Sequence, residues 1–473
     1  MPEISFVAGT SDLTSTAAAI AAGEISPVEL AEDSLRAIAD LDPTLNAYIT
    51  VMAEQALATA CQAEREIVSG TYRGSLHGIP LSVKDLFWTK GVRTTSGSRV
   101  LKGFVPGENA AIVDRLASAG SILLGKTNML EFAYASVHPD FGPTRNPWNL
   151  TRTTSGSSGG AAASTAAGID YGSFGTDTGG SVRIPASFCG VCGLKPSYGL
   201  VSRFGVQALS WTLDHVGPFA RTVRDLALLL EVVAGHDPRD SQSADRTVPV
   251  YQRQLTERLD GIRVGVITNF MDSAVNSEIR EAVSCAIEVL REAGAAIEEL
   301  AIPELEGEAL NAEMGILLPE ASFCHRDLFD THQADYSETV LERLQLGRNT
   351  PAVAYIAALE ARDRLRDVVR KNQADLDLLV MPTTPMVATP LESTTLEVGD
   401  GEEDLGALIR MTAPFDVTGQ PALSVPCGFS SSGLPIALQI VGRDFEDGTV
   451  LRAGHAYQLR TDWHHRRPTV STS

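Results

Sequence analysis

The sequence has few cysteines and little positive charge, and both deficits exclude classes of protein. Six cysteines in 473 residues do not make a disulfide framework. Lysine and arginine total 38 against 59 aspartates and glutamates, which gives a net charge of −21. Because that charge repels a phosphate backbone or an anionic membrane surface, we expect neither nucleic acid nor a membrane as a partner.

Long apolar runs and metal-binding spacings are also lacking. No run reaches the length of a membrane span, and residues 1–6 lack the basic start and apolar core of a secretory signal, so we expect a cytoplasmic protein. None of the nine histidines stands in a spacing such as H-E-x-x-H. Cys189 and Cys192 have redox or zinc spacing, but no second cysteine pair or nearby histidine completes a site. We interpret these two cysteines as small buried residues and expect no metal.

The composition and the order of patterns predict a large α/β protein. Hydrophobic residues make up 44% of the chain and charged residues 21%, which permits a sizeable core. Strand and helix patterns alternate, which predicts a large mixed, mainly parallel β-sheet core covered by helices on both faces. We expect an N-terminal helical segment over residues 1–70 that packs on a main domain over 71–473. Within that domain, a helix-leaning insertion at about 303–350 is a candidate lid.

Two stretches in the first 84 residues have clear local patterns. Ser26 and Pro27 predict a helix start, with an end near Pro43 and a second helix from about Leu45 to Ile67. A short apolar strand then ends in Lys84. A lysine at a strand end usually extends to water, but a buried lysine can stay neutral and act as a base. Lowering its pKa by about three from 10.4 costs about 4 kcal/mol, which burial can supply.

The stretch from Gly175 to Pro185 is the strongest candidate for a site. An apolar run leads into it, so it is predicted to be a loop at the end of a buried strand. Successive backbone N–H groups, two of them on glycines, can form an oxyanion hole. Ser181 lies beside them, as a nucleophile for acyl transfer requires. The alternative is a glycine-rich turn whose serine caps a helix.

Other motifs favour different chemistry but lack the context that it needs. Residues 120–127 match the nucleotide-binding P-loop pattern and include Lys126, yet a helix precedes them and their centre is an apolar strand. Ser158 stands in the centre of a nucleophile-elbow pattern, yet no buried strand leads into it. His215 and His455 are the histidines that a Ser-His enzyme could use, and nothing local supports either. A P-loop protein and a Ser-His hydrolase therefore stay as alternatives.

Taken together, these pieces resemble the amidase signature family. The resemblance covers nearly the whole chain and rests on a strand-end lysine, a Gly/Ser-rich helix start and the pattern G-T-D-x-G-G-S-x-R-x-P. The matching segments are Gly78 to Pro80, Val83 to Asp85, Gly125 to Asn128, Gly156 to Gly160, Gly175 to Pro185, Gly193 to Pro196, Met381 to Pro385, Ser424 to Pro426 and Gly433 to Pro435.

The resemblance implies a Ser-Ser-Lys triad. Ser181 would be the nucleophile, Ser157 the bridging hydroxyl across a cis peptide, and Lys84 the base. Ser157 and Ser181 are 24 positions apart, as in the family, which selects Ser157 over its serine neighbours. The oxyanion hole would be formed by the backbone of Thr178, Gly179, Gly180 and Ser181. The resemblance implies structural roles for Asp177 and Arg183, and no cofactor is needed.

By the same resemblance, the protein is expected to hydrolyse the C–N bond of a small carboxamide or acyl hydrazide through an acyl-enzyme. The alternative is the glutamine-hydrolysing A subunit of an aminoacyl-tRNA amidotransferase. The residues Arg152 to Thr154 and Asp416 differ from what that subunit is expected to have, which favours the free-standing hydrolase. The expected partner is then the small-molecule substrate, and the sequence leaves open whether the protein forms a homodimer. The pocket is expected around residues 126–150, 303–350 and 412–420.

Overall fold

A large mixed β-sheet forms the centre of the protein. The computed structural model describes residues 12–272, 275–391, 393, 396–398, 401–403 and 405–470. In these ranges the strands are β1 (Tyr48–Val51), β2 (Pro80–Lys84), β3 (Ile122–Thr127), β4 (Arg145–Asn146), β5 (Asn149–Thr153), β6 (Ser173–Asp177), β7 (Cys192–Lys195), β8 (His215–Ala220), β9 (Arg263–Ile267), β10 (Ala296–Leu300), β11 (Leu378–Pro382), β12 (Leu396–Val398), β13 (Gly401–Glu403), β14 (Ala422–Phe429) and β15 (Pro435–Gly442). Eleven of the described strands make one sheet, in the order β1-β3-β2-β6-β8-β7-β14-β15-β11-β9-β10.

The helices that accompany this sheet are distributed over the whole chain. They are α1 (Leu13–Ala21), α2 (Pro27–Leu45), α3 (Ala53–Val68), α4 (Ala111–Ser118), α5 (Gly159–Ala167), α6 (Arg183–Cys189), α7 (Val223–Val233), α8 (Asn269–Asp272), α9 (Ser277–Glu292), α10 (Gly307–Cys324), α11 (Arg326–His332), α12 (Glu338–Arg348), α13 (Ala352–Asn372), α14 (Ala413–Thr418) and α15 (Asp447–Gln458). The predicted α/β class with one large mixed sheet is confirmed.

Parallel pairing occurs towards both ends of the sheet. There, β2 pairs in parallel with β3 and β6, and β9 with β10 and β11. The strands between these two groups pair antiparallel, as β7 does with β8 and β14. Parallel neighbours share one direction, so β2 and β6 end at the same edge of the sheet. Lys84 and Asp177 are the last residues of these two strands, and the candidate site lies at that edge.

The first predicted helix ends at Leu45, two residues beyond Pro43, and the predicted start of the second helix at Leu45 is wrong. Helix α2 continues through Pro43 and ends at Leu45, and Asn46 caps it with a left-handed backbone and a φ of 54°. Strand β1 follows and pairs antiparallel with β3 at the edge of the sheet. The alanine- and glutamate-rich sequence forms a helix only from α3 onwards, because edge pairing with β3 overrides the local helix preference of the preceding residues.

The nucleotide-binding alternative has no structural basis at the P-loop pattern. Residues from Ile122 to Thr127 form the continuous strand β3, which leaves no loop to surround a phosphate. The Lys126 ammonium is buried, and it donates to the Phe87 carbonyl oxygen at 2.7 Å and to the Thr94 hydroxyl at 2.9 Å. This lysine therefore holds the loop after β2 in place.

The two cysteines with redox or zinc spacing lie in the interior of the protein. Cys189 and Cys192 are buried free thiols, and burial raises the pKa of both. Among the described residues, no cluster of three or more His, Cys, Asp or Glu side chains could hold a metal ion. In the same part of the chain, no helix is both long enough and apolar enough to span a membrane.

Candidate active site

Lys84 ends β2 with its ammonium group in the protein interior. Its Nζ donates to the Ser157 hydroxyl at 2.7 Å and to the Thr176 hydroxyl at 2.9 Å. The side chain is fully buried. Burial lowers the pKa of Lys84 to about 7, although the negative charges of Asp214 and Asp177 partly oppose that shift. A large share of this lysine is therefore neutral near pH 7 and can accept a proton.

Asp85 follows Lys84 directly, but its carboxylate is engaged elsewhere. It accepts hydrogen bonds from the backbone N–H of Thr95 at 2.8 Å and from the Thr95 hydroxyl at 2.5 Å. Its other oxygen lies 3.4 Å from the Lys126 ammonium. Successive side chains of an extended chain point in opposite directions, and this alternation keeps the carboxylate away from Lys84.

Ser157 is held between β5 and the start of α5. The Gly156–Ser157 peptide bond is cis, and the Ser157 carbonyl accepts from the Leu130 N–H at 3.1 Å. Gly156 packs so closely on Leu130 that a Cβ atom would lie 2.4 Å from its Cγ. The next serine, Ser158, has its hydroxyl bonded to the backbone of Thr176, at 3.1 Å to the carbonyl oxygen and 3.3 Å to the N–H. Of the two neighbouring serines, Ser157 is thus the one in contact with Lys84.

The loop between β6 and α6 carries the predicted oxyanion donors and Ser181. The Asp177 carboxylate shapes this loop, because it accepts from the Gly180 N–H at 2.6 Å and from the Val182 N–H at 3.0 Å. Gly180 has a φ of 130°, and a Cβ there would lie 2.3 Å from the Thr412 hydroxyl oxygen. Glycine is therefore required at this position both for its conformation and for space. Ser181 is half-buried at the end of the loop.

The family model described as Amidase matches residues 29–451. The chain belongs to the Amidase family. Members of this family hydrolyse C–N bonds, and the protein is an amidase-signature hydrolase.

Relatives of several activities resemble this Amidase family member over nearly its whole length. It is 40% identical to the A subunit of the glutamyl-tRNA(Gln) amidotransferase of Roseiflexus sp. (strain RS-1), over 96% of each chain. It superposes with a TM-score of 0.92 and 31% identity on a chain solved in work on a vestigial protein complex and the origins of an s-triazine catabolic enzyme, covering 97% of this chain and 100% of that one. A bacterial aryl acylamidase gives a TM-score of 0.89 with 28% identity, over 97% of this chain and 98% of its own.

In this Amidase family member, a buried arginine joins the loop to the helix α14. Arg183 donates to both Asp177 oxygens at 3.0 Å and also contacts the Asp416 carboxylate. Its remaining nitrogen donates to the Thr412 carbonyl oxygen at 2.8 Å and to the Gln439 side chain at 2.9 Å. All of its hydrogen-bonding edges are thus used within the protein, which is consistent with the structural role expected for Arg183 and Asp177.

The two histidines considered for a Ser-His enzyme lie in different surroundings. The Nδ1 atom of His215 is 2.6 Å from the Leu213 carbonyl oxygen and 3.5 Å from an Asp416 oxygen, and burial strongly lowers the pKa of this histidine. His455 lies on α15 and is partly exposed. Lys84, in contrast, contacts a predicted site serine directly.

Two residues of this region were not predicted from the sequence. Thr176 accepts from Lys84 and could have been found only from the parallel pairing of β2 with β6. Glu313 lies on α10, within the predicted insertion, and its Oε1 is 3.0 Å from the point where a Cβ of Gly179 would be. No sequence signal marks Glu313, because its neighbour is more than a hundred positions away in the chain.

The arginine network leads to a stability prediction. The Arg183→Gln variant should lower the free energy of unfolding by about 3–5 kcal/mol, because it leaves the buried carboxylates of Asp177 and Asp416 without their counter-charge. Denaturant unfolding of the variant and of the wild type measures this difference. Arg258→Gln is the control, since its ion pair with Asp260 is exposed and little change is expected. If Arg183→Gln unfolds like the wild type, the network does not stabilise the loop.

Proposed function

We propose that the protein cleaves a carboxamide through an acyl-enzyme on Ser181, with Ser157 as the bridging hydroxyl and Lys84 as the base. The observation that carries this proposal is the 2.7 Å contact between the Lys84 Nζ and the Ser157 Oγ in a fully buried site. An amide is a weak electrophile with a poor leaving group, so both attack and departure need proton transfer. A neutral lysine that is linked to a hydroxyl can supply both transfers.

The proton path follows from these roles. Neutral Lys84 accepts a proton from Ser157, and Ser157 accepts the proton of Ser181 as the Ser181 oxygen attacks the carbonyl carbon. The path then runs in reverse and protonates the departing nitrogen, so that the C–N bond breaks and the acyl group stays on Ser181. Water hydrolyses the ester by the same relay and returns the free enzyme. No metal or organic cofactor takes part in this proposal.

The oxyanion hole that we propose differs in one respect from the four-residue prediction. The Gly180 N–H is already donated to Asp177 at 2.6 Å, so this group is not directed at a substrate. We assign the oxyanion to the N–H groups of Thr178, Gly179 and Ser181, and we assign to Gly180 the turn that presents them. The Thr412 hydroxyl stabilises this turn by donating to the Gly179 carbonyl oxygen at 2.7 Å.

The relatives favour glutamine as the substrate. They favour a glutamine-hydrolysing subunit over the small-amide hydrolase expected from the sequence. The A subunit of glutamyl-tRNA(Gln) amidotransferase matches at 40% identity over 96% of both chains, which supports the role of a glutamine-hydrolysing A subunit that works with partner subunits. A free-standing hydrolase of small amides or hydrazides is the second candidate. It is favoured by the TM-score of 0.89 with an aryl acylamidase and by Asp416, which differs from what we expect in the A subunit.

The helices α10 to α12 are proposed to cover the substrate. They span most of the predicted insertion, and α10 packs against both α12 and α14. Glu313 of α10 reaches Gly179 of the loop. Because this insertion contacts the loop that carries the proposed nucleophile, its sequence is expected to set substrate choice.

The proposed nucleophile is tested by substitution. Ser181→Ala should lower kcat/KM for amide hydrolysis about a thousandfold or more, because the variant lacks the hydroxyl that attacks the carbonyl carbon. The Ser158→Ala variant is the matched control and should keep most of the activity, because the Ser158 hydroxyl is bonded to the backbone of Thr176. Ammonia release measures both, and added hydroxylamine should give a hydroxamate with wild type but not with Ser181→Ala. Full turnover by Ser181→Ala would refute the mechanism.

The proposed base leads to a pH prediction. The pKa of Lys84 is about 7, and the protonated form below that pH cannot accept a proton. We therefore expect kcat/KM for an uncharged amide to fall about tenfold per pH unit below pH 7 and to level off above it. Initial rates from pH 5 to 9 measure the profile, with circular dichroism to show that the fold persists. A flat profile under conditions where acylation limits the rate would contradict a neutral lysine base.

The choice between the two candidate substrates is tested with and without partners. If the protein is an A subunit, ammonia release from L-glutamine should be slow with the purified chain and should rise at least tenfold when the other amidotransferase subunits are added. Pentanamide hydrolysis measured in parallel serves as the control. Rapid hydrolysis of small amides by the chain alone, with no response to the added subunits, would favour the free-standing hydrolase instead.

A further inference from the structure

Glu313 is a buried carboxyl group whose hydrogen-bonding capacity is not used by the protein. Its relative exposure is 0%, and neither Oε1 nor Oε2 has a hydrogen-bond partner. Among the described residues, it is the one buried carboxyl group in which both oxygens lack a hydrogen-bond partner. Buried polar groups in proteins are nearly always hydrogen-bonded, because an unmet group costs about 1–3 kcal/mol. A buried side chain that lowers stability in this way is expected to have a function.

Two other buried glutamates, on or beside the insertion, accept hydrogen bonds at both oxygens. On the same helix α10, Glu320 accepts hydrogen bonds from Ser210, Thr212 and Tyr355. Glu131 accepts from the Ser98 hydroxyl at 2.5 Å and from the Ser337 N–H at 2.9 Å. The absence of hydrogen bonds at both oxygens therefore distinguishes Glu313 from these two glutamates, and Asp416 lacks a partner at one oxygen only.

The position of Glu313 points to the substrate. Its Oε1 is 3.0 Å from the point where a Cβ of Gly179 would lie, and a methyl group of Ile409 is 3.7 Å from the same point. The Gly179 N–H is one of the proposed oxyanion donors. A substrate whose carbonyl oxygen is held there would place atoms a few bonds further along close to the Glu313 carboxyl, with its methylene groups against Ile409.

The charge around Glu313 favours a cation. Asp416, Asp177 and Asp214 act on it with negative charge, and Arg183 is the positive group that partly offsets them. Burial and these carboxylates raise the pKa of Glu313. A carboxylate without a counter-charge beside the oxyanion hole would also oppose the negative charge of the transition state. A positive group on the substrate would remove this repulsion and supply the missing hydrogen bonds.

We propose that Glu313 is the specificity residue for an amide substrate that carries a primary ammonium group a few bonds from the scissile carbonyl. The inference rests on the proposed amidase function and narrows its substrate class. The ammonium would donate to the Glu313 oxygens, and the methylene chain would pack on Ile409. Glu313 acts in binding and charge balance, and it takes no part in the proton relay of Lys84.

Four amides with the same spacing from carbonyl to substituent test this proposal. L-Glutamine carries an ammonium and a carboxylate, 4-aminobutanamide carries only the ammonium, glutaric acid monoamide carries only the carboxylate, and pentanamide has a methyl group in place of the ammonium. We expect wild-type kcat/KM for 4-aminobutanamide to exceed that for pentanamide by about tenfold to a hundredfold, as a charge-assisted hydrogen bond predicts. Glutamine should likewise exceed glutaric acid monoamide.

Substitution then assigns the preference to one residue. Glu313→Gln should remove the preference for the ammonium, so that kcat/KM for 4-aminobutanamide falls towards that for pentanamide, because a neutral amide offers the ammonium no counter-charge. Glu313→Met has an apolar side chain of similar size and should reverse the preference in favour of pentanamide. This variant tests the proposal if Glu313→Gln does not fold. Glu320→Gln, on the same helix but with a satisfied carboxyl group, is the matched control and should keep the wild-type ratio.

The outcomes separate the two proposals. If wild type hydrolyses none of the four amides, with or without partner subunits, the proposed function is wrong. If pentanamide is hydrolysed but 4-aminobutanamide has no advantage, the function stands and the inference about Glu313 is wrong. If the ammonium is preferred and Glu313→Gln or Glu313→Met keeps that preference, the ammonium is recognised elsewhere and the inference is also overturned.

Discussion

The Arg183 guanidinium, buried between the carboxylates of Asp177 and Asp416, is the interaction on which the geometry of the site depends. It spans positions that are far apart in the chain and joins the end of β6, the start of α6 and the helix α14. A buried charge is costly unless its partners surround it, and here each partner also organises other groups. Asp177 directs the backbone of the loop by accepting from the N–H groups of Gly180 and Val182. The position of Ser181 therefore depends on the ion pair between Asp177 and Arg183.

The site combines this charged network with a neighbouring lysine that is kept partly neutral. Arg183 has carboxylates on two sides and stays charged, whereas Lys84 contacts the two hydroxyl groups of Ser157 and Thr176. Burial then favours the neutral form of Lys84, and the charges of Asp214 and Asp177 oppose this shift only in part. Two cations in one interior thus serve different purposes, and the identity of their nearest neighbours decides which one holds the structure and which one can accept a proton.

The insertion adds a different kind of constraint. Helix α10 brings Glu313 against Gly179, on the loop that Asp177, Asp214 and Thr412 also contact. The loop and the relay use residues that the resemblance to the amidase signature family already implied. Glu313 belongs to the part of the chain that has no such signature. This division is the one expected when a common reaction is combined with a variable choice of substrate.

Local sequence determined the parts of the protein whose physics is local. The glycines around Ser181, the serine cap at Ser26 and the apolar strand at Ile122 to Leu124 act on their own backbone, so their patterns could be read directly. Tertiary structure decided what depends on distant partners. The strand β1 forms because β3 offers it an edge, the Gly180 N–H is occupied because Asp177 turns towards it, and Glu313 meets Gly179 because α10 folds over the loop. Propensity acts within a few residues, whereas burial and pairing are set only when the whole chain has folded.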